Sequence, residues 1–208
     1  MSETIPNDVE QAHKDTEPEQ FDLDPDGDVV LVVEGQNAER LLVSSKILSL
    51  ASPVFSKMLG PNFREGTQMA DSNCPTITLH DDDPLAMITM LGAFHYKERD
   101  PKVPMTAEEL AVLAIQCDKY DCVKTIKPWI LTWFNNFQRD LVEEEYGLLL
   151  LAAHFFRAAE KFSELSAKAQ VKLSSISFAK WDSLDILGFL PDGLQGKGSS
   201  IHFPCQTL

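Results

Sequence analysis

Apolar residues in the first part of the chain form short runs of strand length, separated by turn-forming residues. The runs near residues 28–33 and 39–43 predict two strands, and the Glu-Gly-Gln-Asn segment at 34–37 predicts a hairpin between them. A further run predicts a strand near residues 75–79. Together these segments predict a small sheet.

After the second predicted strand, the apolar spacing changes to that of helices. Two short helices are predicted, near residues 45–50 and 53–59. Ser52 is a suitable N-cap for the second of them, and Pro53 suits the first helical position, where a missing N–H costs nothing. Gly60-Pro61 ends this helix, because it supplies a permissive cap and a residue that cannot continue the helix.

The third predicted strand is followed by two helices with clear start signals. Asp83 is the predicted N-cap and Pro84 the first residue of a helix that runs to about Tyr96. Thr106 and Glu109 have the spacing of a capping box and predict the start of the next helix.

Three further helices are predicted in the second half of the chain. Asp121 is expected to cap the first of them, and Pro128 is expected to kink or divide it. The other two are predicted near residues 141–156 and 159–173, and the first of this pair is apolar enough to be largely buried.

The negative charge is concentrated near the N-terminus. The formal net charge is −14, and residues 1–28 contain ten acidic side chains and one lysine. Few large apolar side chains accompany them, so residues 1–27 are predicted to be a disordered acidic tail, either a solubilising leader or a lure for a basic partner. With a pI near 4.7 and no basic cluster, direct binding to nucleic acid is not expected.

The cysteines and the apolar runs bear on the cellular compartment. None of the four cysteines is spaced from another as in a C-x-x-C pair; they are Cys74, Cys117, Cys122 and Cys205. We therefore expect buried, reduced thiols rather than disulfides. No secretory signal begins the chain, and the richest apolar run, residues 148–156, is too short to span a bilayer. The sequence therefore predicts a soluble intracellular protein, cytoplasmic or nuclear, that does not insert into membranes.

A search for catalytic motifs returns little. There is no G-x-S-x-G, no H-E-x-x-H and no phosphate-binding glycine loop. Ser177 and Lys180 match S-x-x-K, but the S-D-N and K-T-G motifs that accompany it in serine enzymes are missing. The acidic run Asp81-Asp82-Asp83 is explained by helix capping and the helix dipole. The sequence therefore predicts no enzyme, no cofactor and no metal site.

The order of the segments resembles that of the BTB/POZ family. Residues 28–33 look like the opening strand of that family, and residues 42–59, LVSSKILSLASPVFSKML, are similar to its second strand and helical hairpin. The strand Thr76–Leu79 and the helices that end at Tyr96 and Tyr120 follow in the order of the family.

The resemblance implies an α/β fold, with a small sheet of three or more strands capped by helices and followed by C-terminal helices. We expect a BTB/POZ domain over residues 28–137, a helical extension like that of fungal members over 138–190, and a loose C-terminal end at 191–208. The extension is expected either to cover Trp129 and Trp133 or to extend a partner-binding surface.

The resemblance also implies a partner-binding site. In the family, a hydrophobic-x-Glu turn after the second short helix helps to dock a cullin-type ubiquitin ligase scaffold, and Phe63-Arg64-Glu65 matches this pattern. Met58, Tyr96 and Tyr120 are its predicted neighbours. The alternative is that Phe63 only packs on Phe55 and Met58 and closes the helical hairpin.

The leading functional prediction is a protein-interaction module that acts as a substrate adaptor for a cullin-type ubiquitin ligase, and the competing one is a homo-oligomeric scaffold with no ligase role. Many family members dimerise through their first helix and an additional N-terminal strand, and no apolar strand of that kind is apparent here. Ser44 and Ser45 also replace the usual basic pair, so Asp28 loses its basic partner unless a register shift brings in Lys46. A homodimer is therefore left open.

Overall fold

A four-stranded sheet and eight α-helices are formed by the residues that the computed structural model describes, which are 20–35, 38–97, 103–174, 181 and 183–190. The strands are β1 (Gln20–Asp22), β2 (Val29–Val33), β3 (Glu39–Val43) and β4 (Thr76–Leu79), in the spatial order β1-β3-β2-β4. This confirms the predicted α/β fold with a small sheet.

The sheet is mixed. β2 and β3 are antiparallel and place Leu31 opposite Leu41, while β1 runs parallel to β3 and β4 runs parallel to β2. Four of the five β2 residues are buried, as expected for a central strand with both faces covered. In the edge strand β4, Ile77 and Leu79 are buried and alternate with exposed threonines.

Strand β1 corrects one sequence prediction. Residues 1–27 were expected to be a disordered tail without a strand, yet Gln20–Asp22 pairs with residues 40–42 of β3. All three β1 side chains are exposed, so the strand is held by backbone pairing and has no apolar pattern that the sequence could reveal. Residues 1–19 lie outside the described residues.

The helices follow the predicted order, with two additions, a helix at Arg64–Asp71 and a 3-10 helix. They are α1 (Ser45–Ala51), α2 (Pro53–Met58), α3 (Arg64–Asp71), α4 (Pro84–Phe94), α5 (Ala107–Lys119), α6 (Val123–Asn135), α7 (Glu143–Phe155) and α8 (Ala159–Lys172), and a short 3-10 helix covers Asp185–Phe189. Helix α3 was not predicted, because its sequence, REGTQMAD, has no apolar stripe and contains a glycine.

Three of the predicted helix starts are confirmed by their hydrogen bonds. The Ser52 hydroxyl accepts the Phe55 N–H at 3.1 Å, and the Asp83 carboxylate accepts the Ala86 N–H at 2.8 Å. Thr106 and Glu109 form the reciprocal pair of a capping box, at 3.1 Å in both directions. These polar side chains satisfy N–H groups that would otherwise have no partner at the helix ends.

The prediction of Asp121 as the cap of α6 is wrong, and of the two outcomes expected at Pro128, a kink or a division, the division is excluded. Asp121 does not cap α6, because the N-cap is Cys122, and Asp121 instead takes a left-handed conformation (φ 47°) after α5. Pro128 does not divide the helix, which is continuous from Val123 to Asn135. Because proline has no backbone N–H, Pro128 cannot donate a hydrogen bond to the Lys124 carbonyl. Both residues are exposed, so water can satisfy this carbonyl.

The C-terminal helices pack on the sheet domain to form one continuous core. Helix α7 lies against α5, and α8 and the 3-10 helix lie against α7. Trp133 is buried, with its ring 5.9 Å from that of Phe156 at the end of α7, whereas Trp129 remains partly exposed. The extension therefore covers Trp133 but not all of Trp129. Residues 191–208, predicted as a loose end, lie outside the described residues.

The cysteines agree only partly with the prediction. Cys117 and Cys122 are buried free thiols, as expected, but Cys74 is exposed in the segment between α3 and β4. Burial raises the pKa of the Cys117 thiol well above its ordinary value, with a further contribution from Cys122. Cys205 lies outside the described residues.

Candidate protein-binding surface

Met58, Phe63 and Glu65 lie close together in sequence where α2 turns into α3, and we call these three residues the α2–α3 surface. Phe63 is 51% exposed, and Met58 and Glu65 are half-buried. The Phe63 ring is therefore not sealed in the core. An aromatic side chain exposed to this degree is available to a partner.

The backbone holds Phe63 in a defined position. Phe63 is the N-cap of α3, its N–H donates to the Gly60 carbonyl at 3.3 Å, and its carbonyl accepts the Thr67 N–H at 3.1 Å. The predicted Phe-x-Glu turn is thus the start of a helix. Glu65 lies in the first turn of α3, where the helix dipole favours a negative charge.

Gly66 permits the close approach of α3 to the end of α2. A Cβ atom added at Gly66 would lie only 1.8 Å from the Gly60 carbonyl oxygen. No side chain other than hydrogen can occupy this position unless α3 moves, and Phe63 and Glu65 would move with it. Gly66 was not predicted as part of the site, although a glycine in an otherwise polar segment is a signal of close backbone contact.

Tyr120 supports α2 from the interior and is not a surface residue. Its ring stacks on that of Phe55 with centroids 4.5 Å apart, and its carbonyl accepts the Ser52 hydroxyl at 2.6 Å. Only 4% of the residue is exposed. Tyr120 was predicted as a partner contact, and in this structure α2 covers its ring.

The buried Asp82 carboxylate joins this support. It accepts hydrogen bonds from the Tyr120 hydroxyl at 2.7 Å, from Lys119 Nζ at 2.5 Å and from the Gln116 amide. Burial and the adjacent Asp82 raise the pKa of Tyr120 well above its ordinary value, so the hydroxyl remains a donor. The sequence analysis assigned Asp82 to capping, yet Asp83 alone caps α4.

Tyr96 belongs to a different part of the surface. It is 83% exposed, follows α4 in a left-handed conformation (φ 55°), and packs its ring 5.7 Å from that of Trp129 on α6. Met58 thus lies at the end of α2 and Phe63 and Glu65 at the start of α3, whereas Tyr96 forms an aromatic pair with Trp129 of α6.

Asp28 has partners other than a basic side chain. Its carboxylate accepts the Ser45 N–H and the Ser45 hydroxyl, each at 2.6 Å. The Ser44 N–H donates to His95 Nε2 at 3.1 Å, and His95 Nδ1 lies 2.8 Å from the Leu91 carbonyl, to which it donates. The N–H and the hydroxyl of Ser45 therefore take the place of the expected basic partner at the Asp28 carboxylate.

Neither a metal centre nor a membrane span is found in the part of the chain that the structure describes. No three His, Cys, Asp or Glu side chains converge there in a way that would hold an ion. No helix among these residues has the length and apolar character required to cross a bilayer. Ser177 and Lys180 lie outside the described residues.

Comparison with known proteins identifies the family. The BTB/POZ domain family model matches residues 19–127, just over half of the 208 residues. The match begins directly before β1 and ends within α6, so it includes the sheet, the α2–α3 surface and the Tyr120 support. No curated protein matches the chain. On this evidence the chain belongs to the BTB/POZ domain family.

Proposed function

We propose that this protein is a substrate adaptor for a cullin-type ubiquitin ligase and that the α2–α3 surface is its docking site for the cullin scaffold. Membership of the BTB/POZ family makes the chain a protein-interaction module, and the choice of a cullin is the step beyond this. The proposal includes the assignment of α7 and α8 to the helical extension of fungal members.

The exposure of Phe63 is the observation that carries the proposal. An aromatic ring that is half exposed, yet fixed at the start of a helix, loses little conformational entropy when a partner covers it. Glu65, one helical position beyond Arg64, can fix the register of a partner by polar pairing. Aromatic side chains that a partner buries completely are often the residues that dominate binding energy.

Buried contacts support α2 from below. The Phe55–Tyr120 stack, the Ser52 hydrogen bond and the Asp82 cluster hold α2 against α5, and the contact of Gly66 with Gly60 holds α3 against α2. Preorganisation of this kind strengthens binding because the free protein does not have to order its site.

Binding of the purified full chain to a cullin N-terminal domain, measured by calorimetry, tests the proposal. Phe63→Ala is expected to weaken binding by about 30-fold or more, which corresponds to the roughly 2 kcal/mol of an aromatic anchor. Glu65→Gln should weaken it less and reduce its salt dependence.

Leu131→Ala is the matched control, because Leu131 is 57% exposed on α6 and lies outside the α2–α3 surface. It should leave binding unchanged, and all three variants should keep the wild-type melting temperature within a few degrees. Absence of cullin binding, or equal binding by Phe63→Ala and wild type, would overturn the proposal.

A second candidate function is self-association as a scaffold, and strand β1 favours it. β1 forms one edge of the sheet in the described residues, and Phe21 in its centre is 42% exposed. An open strand edge can pair with another chain. Light scattering over a dilution series should then show a dimer that Phe21→Lys disrupts and Phe63→Ala does not.

A further inference from the structure

Helix α6 keeps one of its faces in contact with solvent. Lys124, Lys127, Pro128 and Leu131 are spaced three and four residues apart, which places them on the same side of a helix, and all four are exposed. Leu131 is 57% exposed. The opposite side of the helix is buried in the core. We call these four exposed residues the α6 stripe.

The charge of the α6 stripe differs from that of the molecule as a whole. The chain has a formal net charge of −14, whereas α6 contains two lysines and no acidic residue. Neither Lys124 nor Lys127 forms an ion pair within the described part of the chain. Both cations are therefore available to the carboxylates of a partner.

Pro128 is an unfavourable residue at this place in the fold. A proline in a helix interior removes one backbone hydrogen bond and destabilises the helix, yet α6 runs through Pro128 without a break. The residue is exposed, so burial of its ring in the core does not offset this loss. The Lys124 carbonyl is left as a free acceptor on the same face. A residue that lowers stability without improving the packing is expected at functional sites.

The chemistry of the α6 stripe indicates the kind of partner that it fits. Lysines attract carboxylates, Leu131 and the Pro128 ring offer apolar contact, and the Lys124 carbonyl can accept a hydrogen bond. An acidic protein segment with an apolar side chain matches all three features. The acidic remainder of the molecule repels such a segment elsewhere, which favours binding at α6. A nucleic acid fits less well, because two lysines would have to hold a phosphate backbone against the net charge of the chain.

We propose that the α6 stripe is a docking site for an acidic protein segment, in which Lys124 and Lys127 pair with carboxylates and Leu131 contacts an apolar side chain. The inference does not depend on cullin binding, since the stripe lies outside the α2–α3 surface. Leu131→Ala should affect this partner and not the cullin, so the two proposals can fail separately.

Selection from a phage library of random dodecapeptides on the immobilised full chain tests the proposal. The library is first depleted on the double variant Lys124→Glu, Lys127→Glu, which removes peptides that bind elsewhere. The enriched peptides are expected to contain more acidic than basic residues and at least one large apolar residue. Binding of the most enriched peptide to each variant is then measured by fluorescence anisotropy, at low and at high salt.

Charge reversal at both lysines of the stripe should weaken peptide binding by about tenfold or more, and Leu131→Ala should weaken it by about fivefold or more. High salt should also weaken it, because the charges involved are exposed. The matched control is Lys46→Glu with Lys57→Glu, at exposed positions on α1 and α2, which changes the net charge equally and should have little effect. Val171→Ala, at an 85% exposed position on α8, is the control for Leu131.

Pro128→Ala separates binding from stability. The new N–H can bond to the Lys124 carbonyl, so the melting temperature should rise by roughly 5 °C, while peptide binding should weaken by about threefold or more because that acceptor is lost. The other variants should keep the wild-type melting temperature, since their positions are exposed. Failure to enrich acidic peptides, equal loss of binding in the control double variant, unchanged binding by Leu131→Ala or Pro128→Ala, or displacement of the peptide by single-stranded DNA would each overturn the proposal.

Discussion

Two buried glycines within helices have opposite surroundings. At Gly66 in α3, an added Cβ would lie 1.8 Å from the backbone oxygen of Gly60. At Gly92 in α4, the nearest atom to an added Cβ is the Lys97 carbonyl oxygen at 3.4 Å, an ordinary contact distance. The first glycine is required by the close approach of two backbones, whereas the second could be replaced by alanine.

Gly66→Ala is therefore expected to destabilise the protein by about 1–3 kcal/mol, because the backbone must shift to relieve the overlap. Gly92→Ala should instead stabilise it by roughly 0.5–1 kcal/mol, because alanine has less conformational freedom to lose in a helix. Urea denaturation measures both free energies of unfolding. A stable Gly66→Ala variant would show that α3 does not pack on the Gly60 turn.

At the scale of the single element, Glu145 shows how the start of α7 is held. Its carboxylate is paired with Arg139, with contacts of 2.5 and 3.0 Å, and also accepts the Val142 N–H at 3.0 Å. Partial burial acts to raise the pKa of Glu145, but the hydrogen bonds from Arg139 and Val142 outweigh it, and the pKa is lowered from its ordinary value of 4.5. The charged form of Glu145 therefore stabilises the fold.

A carboxyl whose pKa is lower in the folded state contributes stability above its unfolded pKa and loses it as the pH falls through the folded pKa. The difference in unfolding free energy between wild type and Glu145→Gln should therefore be largest above the ordinary pKa of 4.5 and shrink as the pH falls below it. Denaturation at a series of pH values measures this difference. In an Arg139→Gln background the pH dependence should be reduced, and a difference that is constant with pH would contradict the assignment.

At the scale of the whole molecule, the sheet domain and the C-terminal helices share one core. Buried residues of α5, α6 and α7 belong to a single cluster, and Trp133 and Phe134 of α6 both contact the Phe156 ring. The boundary between domain and extension that was predicted near residue 138 is thus crossed by continuous packing. This arrangement favours cooperative unfolding of the two parts.

We expect a single unfolding transition in which tryptophan fluorescence and far-UV circular dichroism change together. Leu150→Ala in α7 should lower the stability of the whole transition by about 2–5 kcal/mol, because Leu150 is fully buried and its truncation leaves a cavity. Leu131→Ala, at an exposed position on α6, should change it little. Two separate transitions in the variant would show that α7 and α8 unfold independently of the sheet domain.

Local chemistry explains the parts of this fold that could be predicted. The caps at Ser52, Asp83 and Thr106 and the strand Glu39–Val43 depend on residues that are neighbours in sequence, so their patterns are visible there. Helix α3 and strand β1 lack such patterns, since one is polar with an internal glycine and the other is three exposed residues. Both are stabilised by contacts with distant parts of the chain.

The same distinction separates what the sequence alone determined from what only the tertiary structure decided. The order of segments determined the BTB/POZ family and directed attention to Phe63 and Glu65, because short-range periodicity and spacing are properties of the chain itself. The exposure of Phe63, the burial of Tyr120 and the closeness of Gly66 to Gly60 were decided by packing. Burial depends on which distant elements cover a residue, and three-dimensional folding is what brings those elements together.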